Sequence, residues 1–336
     1  MPPMSPEPVV RPGPAKPEEP ATTLPLKVRI AVLTFKRPDD IRPALDRLLE
    51  QALTVNSPQT PVDIVVVDND PAGSAREFVT GFAVQHPEIA VRYENEVQPG
   101  ISAARNRALA TAGDSDVLIF IDDDERPSAH WLAELLGTYR ERRPAAVVGP
   151  VVSEYEVEPD SWVAAGRFFD RRRLPTGTEI DVAATNNLLL DLHQVRSFDL
   201  SFDAQFGLSG GGDTMFTRAL HRRGGKLIWN DEAVVIDVVP ANRVTRDWVL
   251  KRALRSGTSW SSTSLKLAEP GVPRTAVRLK LTGRGVVRVA GGAGRLAVGT
   301  LARSPKHQAK GLRTLSRGLG LLSGAWGYVY SEYKRS

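Results

Sequence analysis

A series of short β-branched and aliphatic runs, each followed by a stretch with helical spacing, constrains this chain more than any other feature. The first run, Val28 to Phe35, leads through Pro38-Asp39-Asp40 to Ile41, Leu45, Leu48 and Leu49 on one helical face. Ile64-Val65-Val66-Val67 precedes a helix over about 74–85, and Val91-Arg92-Tyr93 precedes one over 101–112 that starts after Pro99-Gly100. Val117 to Ile121 precedes a helix over about 129–142, and Ala145 to Gly149 closes the series. Runs buried on both faces and alternating with helices are the pattern of βαβ units. The expected fold class is therefore α/β, a mostly parallel sheet flanked by helices. In such sheets ligands bind beyond the carboxyl ends of the strands. Thr34, Asp68-Asn69-Asp70 and Asp122-Asp123-Asp124-Glu125 sit at three of those ends and should meet in one crevice.

From 151 to about 265 the pattern is less regular. It holds Trp162, the basic run Arg171-Arg172-Arg173, the apolar Leu188-Leu189-Leu190 and the glycines Gly210-Gly211-Gly212. A helix over about 213–223, a strand pair near 226–229 and 233–239, and a helix over 247–256 are expected. Beyond Pro273, weak helical spacing links Val277 with Leu281, and Leu312 with Leu315, Leu319 and Leu322. The abundant glycines there argue against one long helix. Residues 1–26 are Pro-rich and read as a disordered leader. The chain thus divides into that leader, a body over 27–265 with halves meeting near 150, and a basic tail over 266–336.

Composition removes several function classes. With no cysteine, disulfide scaffolds, thiol nucleophiles and cysteine-ligated metals are excluded, and five His favour oxygen ligands for any metal. Neither a P-loop nor a GxGxxG dinucleotide fingerprint is present, and no G-x-S-x-G nucleophile elbow. No apolar run is long enough for a membrane span, and the first residues lack the features of a secretory signal, so cytoplasmic placement is expected. Charge is unevenly placed: residues 274–336 carry net +12, leaving −7 on residues 1–273 of an overall +5. A basic tail with Trp326, Tyr328 and Tyr330 at its end suits peripheral contact with an anionic leaflet at the inner face of the cell membrane. The acidic body carries no recognised nucleic-acid module, so no nucleic-acid partner is expected.

Carboxylates crowded at a strand end repel one another unless a cation neutralises them, and hard ions such as Mg²⁺ and Mn²⁺ take such oxygens together with phosphate. The Asp122 to Glu125 run therefore reads either as a metal–diphosphate site or as an acidic helix start facing solvent. Gly210-Gly211-Gly212 permits close backbone approach, with Asp213 as helix cap or as base. Arg105 and Arg107, after Pro99-Gly100, read as phosphate ligands or as an ordinary amphipathic helix.

In this order, the segments 31–38, 65–71, 99–107, 120–132, Thr185-Asn186-Asn187 and 210–216 resemble the family 2 glycosyltransferases of GT-A fold, especially the bacterial exopolysaccharide, succinoglycan-biosynthesis type. The resemblance implies a Rossmann-like nucleotide-binding half and an acceptor half. It implies a metal-dependent inverting transferase, with Mn²⁺ or Mg²⁺, moving a sugar from a nucleoside-diphosphate donor, usually UDP-linked, to a hydroxyl of a glycan or lipid-linked acceptor. Thr34, Arg37, Asp68, Gly100, Arg105, Asp122 and Asp123 then match nucleotide-binding positions. Asp122 and Asp124 match the DxD metal pair, and Asp213 the catalytic base. Asp237 lies where relatives often place a metal-binding His and is a candidate ligand. Where many relatives have Glu-Asp, this chain has Gly212-Asp213. Trp162, Asn186, Gly211 and Trp229 are candidate sugar or acceptor contacts. Two alternatives remain open at this point: a sugar nucleotidyltransferase, and a catalytically silent membrane-associated scaffold of a polysaccharide assembly complex.

Overall fold

The computed structural model describes residues 24–268 and 271–328. Most of the Pro-rich leader and Tyr330 lie outside the described residues. In chain order the elements are β1 (Val28–Thr34), α1 (Pro38–Val55), β2 (Val62–Asp68), α2 (Arg76–Gln85), β3 (Ala90–Asn95), α3 (Ile101–Thr111) and β4 (Val117–Asp122). There follow β5 (Glu125–Pro127), α4 (Trp131–Arg142), β6 (Ala146–Val148), β7 (Val151–Tyr155), α5 (Ser161–Gly166), β8 (Glu179–Ile180), β9 (Asn187–Asp191) and α6 (Leu192–Ser197). The chain continues through α7 (Gly212–Arg222), β10 (Leu227–Trp229), β11 (Val235–Val239), α8 (Arg246–Lys266), α9 (Arg274–Leu301) and α10 (Pro305–Ala325).

The expected α/β fold is present. An eight-stranded sheet runs in the order β3-β2-β1-β4-β9-β6-β10-β8. Its first four strands are parallel, while β9 inserts antiparallel between β4 and β6 and β8 pairs antiparallel at the edge. Alternation along the strands separates two cores. Ile30, Val32, Ile64, Val66, Ile119 and Ile121 face Ile41 and Leu45 of α1, Val79 of α2 and Trp131 and Leu135 of α4. Ala31, Leu33, Val65, Val67 and Phe120 face Ala104 and Ala108 of α3 and Phe216 and Leu220 of α7. Each fully buried aliphatic side chain contributes about 1.5–3 kcal/mol, which fixes register because a one-residue slip would exchange the two faces.

Two expectations change. The segments near 226–229 and 233–239 form strands but do not pair with each other: β10 joins β6 in the large sheet, whereas β11 lies between β5 and β7 in a separate three-stranded sheet. Asn230 explains the parting, since its side chain accepts from the backbone of Glu232 and Ala233 and donates to Thr138, turning the chain away from the large sheet. The glycine-rich segment beyond Pro273 forms two long helices, α9 and α10, joined by a short turn with Ser304 as N-cap and Pro305 in the first turn of α10. Gly285, Gly292 and Gly299 of α9 and Gly311 and Gly318 of α10 form the seam of a helical hairpin. A methyl added at Gly292 would lie 2.5 Å from the Leu315 backbone nitrogen, so only a missing side chain permits this approach. The same hairpin extends α8 ten residues past the expected end at 256, because Gly257 packs directly on the α10 backbone and the Ser261 hydroxyl donates to the Leu321 carbonyl.

Candidate active site

Sheet register alone assembles the strand-end crevice. Thr34 lies opposite Asp68 and Leu33 opposite Asp122, so three neighbouring parallel strands deliver their polar ends side by side. Asp68 is buried, and its carboxylate accepts from the Asp70 and Ala75 backbone amides (2.9 Å each) and from the Tyr93 hydroxyl at 3.1 Å. Both oxygens are thereby committed to shaping the loop after β2. Asn69 ties this loop to the start of α3, donating to Glu96 and Gln98 and accepting from the Gly100 amide at 3.1 Å. Gly100 has φ +119° and packs on the Gly207 backbone, a place where a side chain would be strained and crowded.

Arg37 reaches across the crevice to the acids after β4. Its Nη1 donates to Asp123 Oδ1 and Asp124 Oδ2, each at 2.9 Å. Burial opposes the Arg37 charge, but the two carboxylates outweigh it and hold the guanidinium well above its ordinary pKa. Asp123 is buried and is pushed up to about 7 by that burial, against the pull of Arg37. The buried Thr34 hydroxyl faces the Asp123 carboxyl and works with Arg37 to hold its pKa down against that burial.

Asp122 is recessed among protein atoms though solvent still reaches it, and burial, reinforced by Asp124 and Asp237, raises it to about 6. Arg105 and Arg171 work in the opposite direction. Glu125, one turn on, is buried and raised well above the ordinary carboxylate range, first by burial and then by Asp122. Asp237 enters from β11 directly opposite Glu125 in the small antiparallel pair, so the two share a face. Arg171 forms a salt bridge with Asp237. The basic run in the sequence contained this arginine, but only the fold shows which of its members turns toward the acids. Among the described residues, no three His, Asp or Glu side chains are grouped to hold an ion by themselves.

Asp213 lies in the first turn of α7, behind Gly211 at φ +92°. Its Oδ1 accepts from the Thr214 amide at 2.7 Å. Asp213 faces a cleft of about 390 Å³ together with Arg105 of α3 and Arg252 of α8. Arg105 is therefore shared: it lines the cleft and also acts on Asp122. Gly212, where relatives often carry Glu, is closed in, since an added Cβ would come within 3.0 Å of the Ser102 hydroxyl and 4.0 Å of Arg105 Nη1. A side chain there would require the Ser102 hydroxyl to move by a few tenths of an ångström.

The remaining candidates do not gather here as exposed contacts. Trp162 is buried, stacked on Phe168 at 5.3 Å with Arg246 over its ring, and packs in a satellite core with Val239 and Val249. Trp229 is buried in β10, its indole N–H donating to Asp231 at 3.0 Å. Asn186 donates to Glu125 Oε1, and so holds an acid of the crevice in place.

The sequence profile described as Glycosyl transferase family 2 matches residues 29–192. The succinoglycan biosynthesis protein ExoM of Rhizobium meliloti is 35% identical over 233 residues, covering 69% of this chain and 73% of that protein. The chain belongs to glycosyltransferase family 2. It is accordingly a glycosyltransferase, and the nucleotidyltransferase alternative falls away. Among solved structures, a mannosyltransferase from Pyrobaculum calidifontis in complex with GDP-Man and Mn²⁺ superposes with a TM-score of 0.60 at 16% identity, over 91% of this chain and 88% of that one. S. aureus TarS 1-349 in complex with UDP-GlcNAc gives a TM-score of 0.50 at 13% identity, over 87% of this chain and 92% of that one. Both superpositions agree with the GT-A topology of this chain. The family match ends within α6, so Asp213, α8 and the hairpin lie beyond it.

Proposed function

We propose that this chain transfers a sugar, with inversion at the anomeric carbon, from a nucleoside-diphosphate sugar to a hydroxyl of a glycan or lipid-linked acceptor in exopolysaccharide synthesis. The observation that carries the reading is that Arg105 lines a cleft with Asp213 and also acts on Asp122 of the strand-end acids. The ExoM relative supports the exopolysaccharide setting. In this reading Thr34, Arg37, Gly100 and Asp123 hold the nucleotide, and Asp68 acts by shaping the loop beneath the base. Asp213 takes the proton from the acceptor hydroxyl as its oxygen bonds to the anomeric carbon. The bond to the diphosphate breaks with its electron pair leaving on phosphate oxygen. Arg105 steadies the charge that develops there.

The donor set fits a hard divalent ion. Asp122 and Asp124 offer carboxylate oxygens, and Asp122 is raised by burial and by its acidic neighbours. An ion completed by substrate phosphates needs only one or two protein carboxylates, so a closed three-residue cluster is not required. Asp122 and Asp124 would hold Mn²⁺ or Mg²⁺, with Asp237 as a further candidate if Arg171 yields it, and the ion would supply charge neutralisation at the diphosphate. Fold relatives bound to Mn²⁺ support this choice.

The C-terminal hairpin supports membrane contact. Among the described residues no helix is long and apolar enough to cross a membrane. The outer side of α9 instead exposes Leu279, Val286, Val287 and Leu301 amid Lys280 and Arg284, and α9 and α10 contain no acid. Apolar anchors ringed by basic charge suit an anionic leaflet at the cytoplasmic face, near a lipid-linked acceptor.

The test is a titration with UDP, GDP, dTDP and CDP, each with and without Mn²⁺. One diphosphate binding tightly only with Mn²⁺, in a manner lost in Asp124→Ala, is the expected result. Absence of metal-dependent binding to all four would overturn the transferase mechanism and favour the silent scaffold. Flotation with phosphatidylglycerol vesicles, weakened in Val286→Asp, tests the membrane face; equal flotation of the variant would sink it.

A further inference from the structure

Beside Asp213 the cleft holds more positive charge than the Arg105 that the transfer reaction, as described, uses. Arg105, Arg252 and Arg317 line it, and Asp213 is the one acid among its described lining residues. Arg317 comes from α10, so the C-terminal hairpin forms part of a wall that also includes the start of α7. None of Arg105, Arg252 and Arg317 forms a salt bridge with a described carboxylate. Arg105 and Arg252 instead lie over the rings of Phe202 at 5.5 Å and Trp248 at 5.1 Å. Burial lowers Arg252 to about 10, with Arg171 and Arg255 adding to it, while Asp237, already paired with Arg171, offsets this only in part. Burial, then Arg288 and Arg313, lower Arg317.

A guanidinium stays protonated near neutral pH, so this charge is not relieved by titration. Withdrawn cations without a counter-charge are costly, and a fold that keeps several around one open cleft is poised for an anion. The 11-residue helix α7 starts at the same cleft with Gly210 and Gly211 in its lining, adding backbone amides and the positive end of its dipole. Forked arginine donors suit the paired oxygens of carboxylate and phosphate alike, and phosphate is the anion that a nucleoside-diphosphate sugar brings to this place.

We propose that this cleft is a phosphate-binding site, completed by Arg317 of the hairpin and taking a phosphate or diphosphate group beside the acceptor side of Asp213. The proposal rests on the transferase reading only in that Asp213 marks where the acceptor hydroxyl lies. It assigns the hairpin a part in ligand binding in addition to any contact with a membrane. The group has two sources of the same chemistry, a phosphate borne by the acceptor and the diphosphate leaving the donor.

The probe is inorganic pyrophosphate, titrated calorimetrically in a metal chelator so that a carboxylate-bound ion plays no part. Wild type is expected to bind it, and Arg252→Gln and Arg317→Gln are each expected to weaken binding about 10-fold or more. Arg303→Gln, in the turn between α9 and α10, is expected to bind as wild type. If Arg252→Gln unfolds early, Arg317→Gln with Arg317→Lys as a partial rescue carries the test alone. Repeating the nucleoside-diphosphate titration with Mn²⁺ separates the sources. Weakening in the arginine variants assigns the site to the donor's leaving group, and unchanged affinity assigns it to the acceptor. No pyrophosphate binding by wild type, or equal binding by Arg317→Gln, overturns the proposal. Pyrophosphate binding that persists where no nucleotide binds would sustain this site while the transferase reading fails.

Discussion

The strand-end crevice and the helical cleft share Arg105 and have opposite electrostatics. In the crevice, burial raises Asp122, Asp123 and Glu125; in the cleft, it lowers Arg252 and Arg317. Their construction differs as well. The crevice is made by the ends of adjacent parallel strands, whereas the cleft joins α3, α7, α8 and α10, whose residues are separated by up to two thirds of the chain. An excess of one sign is expensive in either region alone. Each is reasonable as half of a site whose ligands bring the other sign, a cation to the acids and phosphate to the arginines.

The largest effect that would break this division of labour is at Asp213. Asp213→Asn is expected to lower turnover by about 10²–10⁴ while nucleoside-diphosphate affinity is unchanged, because a base on the acceptor side does not hold the donor. A steady-state assay beside a titration checks it, and undiminished turnover would remove the assignment.

Next in size is the coupling of ion and nucleotide. With nucleoside diphosphate at about 100 times its Kd in the presence of Mn²⁺, wild type should gain about 2.7 kcal/mol of stability. Asp124→Ala should gain none in the same thermal melts. A full gain in the variant would place the ion elsewhere.

Asn186→Ala sharpens the acidic side further. It strips Glu125 Oε1 of its hydrogen-bond donor in a buried position, and urea unfolding should show a loss of about 1–3 kcal/mol. No loss would mean that water replaces the amide.

The smallest pair contrasts two glycines of α9. Gly283→Ala adds a methyl with no atom within 4 Å and should stabilise by about 0.5–1 kcal/mol. Gly292→Ala, against the α10 backbone, should destabilise by about 1–3 kcal/mol. Equal shifts in melting temperature would show that the hairpin is not packed along that seam.

The crevice was legible because its signals are local. Apolar runs of strand length ending in Asp68 and Asp122 announce both the sheet and the polar ends that meet above it. Asn230 and the Leu188 to Leu190 run illustrate where local signals stop. Three leucines do not say that their strand will insert antiparallel between β4 and β6, nor does an Asn say that it will send β11 to a second sheet. The glycines beyond Pro273 were legible as weak helix formers only. Their value as a contact seam exists only once α8, α9 and α10 lie against one another. Trp162 and Trp229, plausible as sugar platforms in the sequence, are claimed by core packing.

The sequence by itself determined the α/β order, the two-faced alternation of the strands and the placing of acids at strand ends, because each follows from periodicity within a few residues. Tertiary structure alone decided that Arg171 would meet Asp237, that Gly212 would be closed by Ser102 and Arg105, and that Arg317 would stand in the cleft with Asp213. Those pairings join residues from dozens to about a hundred positions apart, and their free energy comes from burial and charge in a space that forms only when the helices dock.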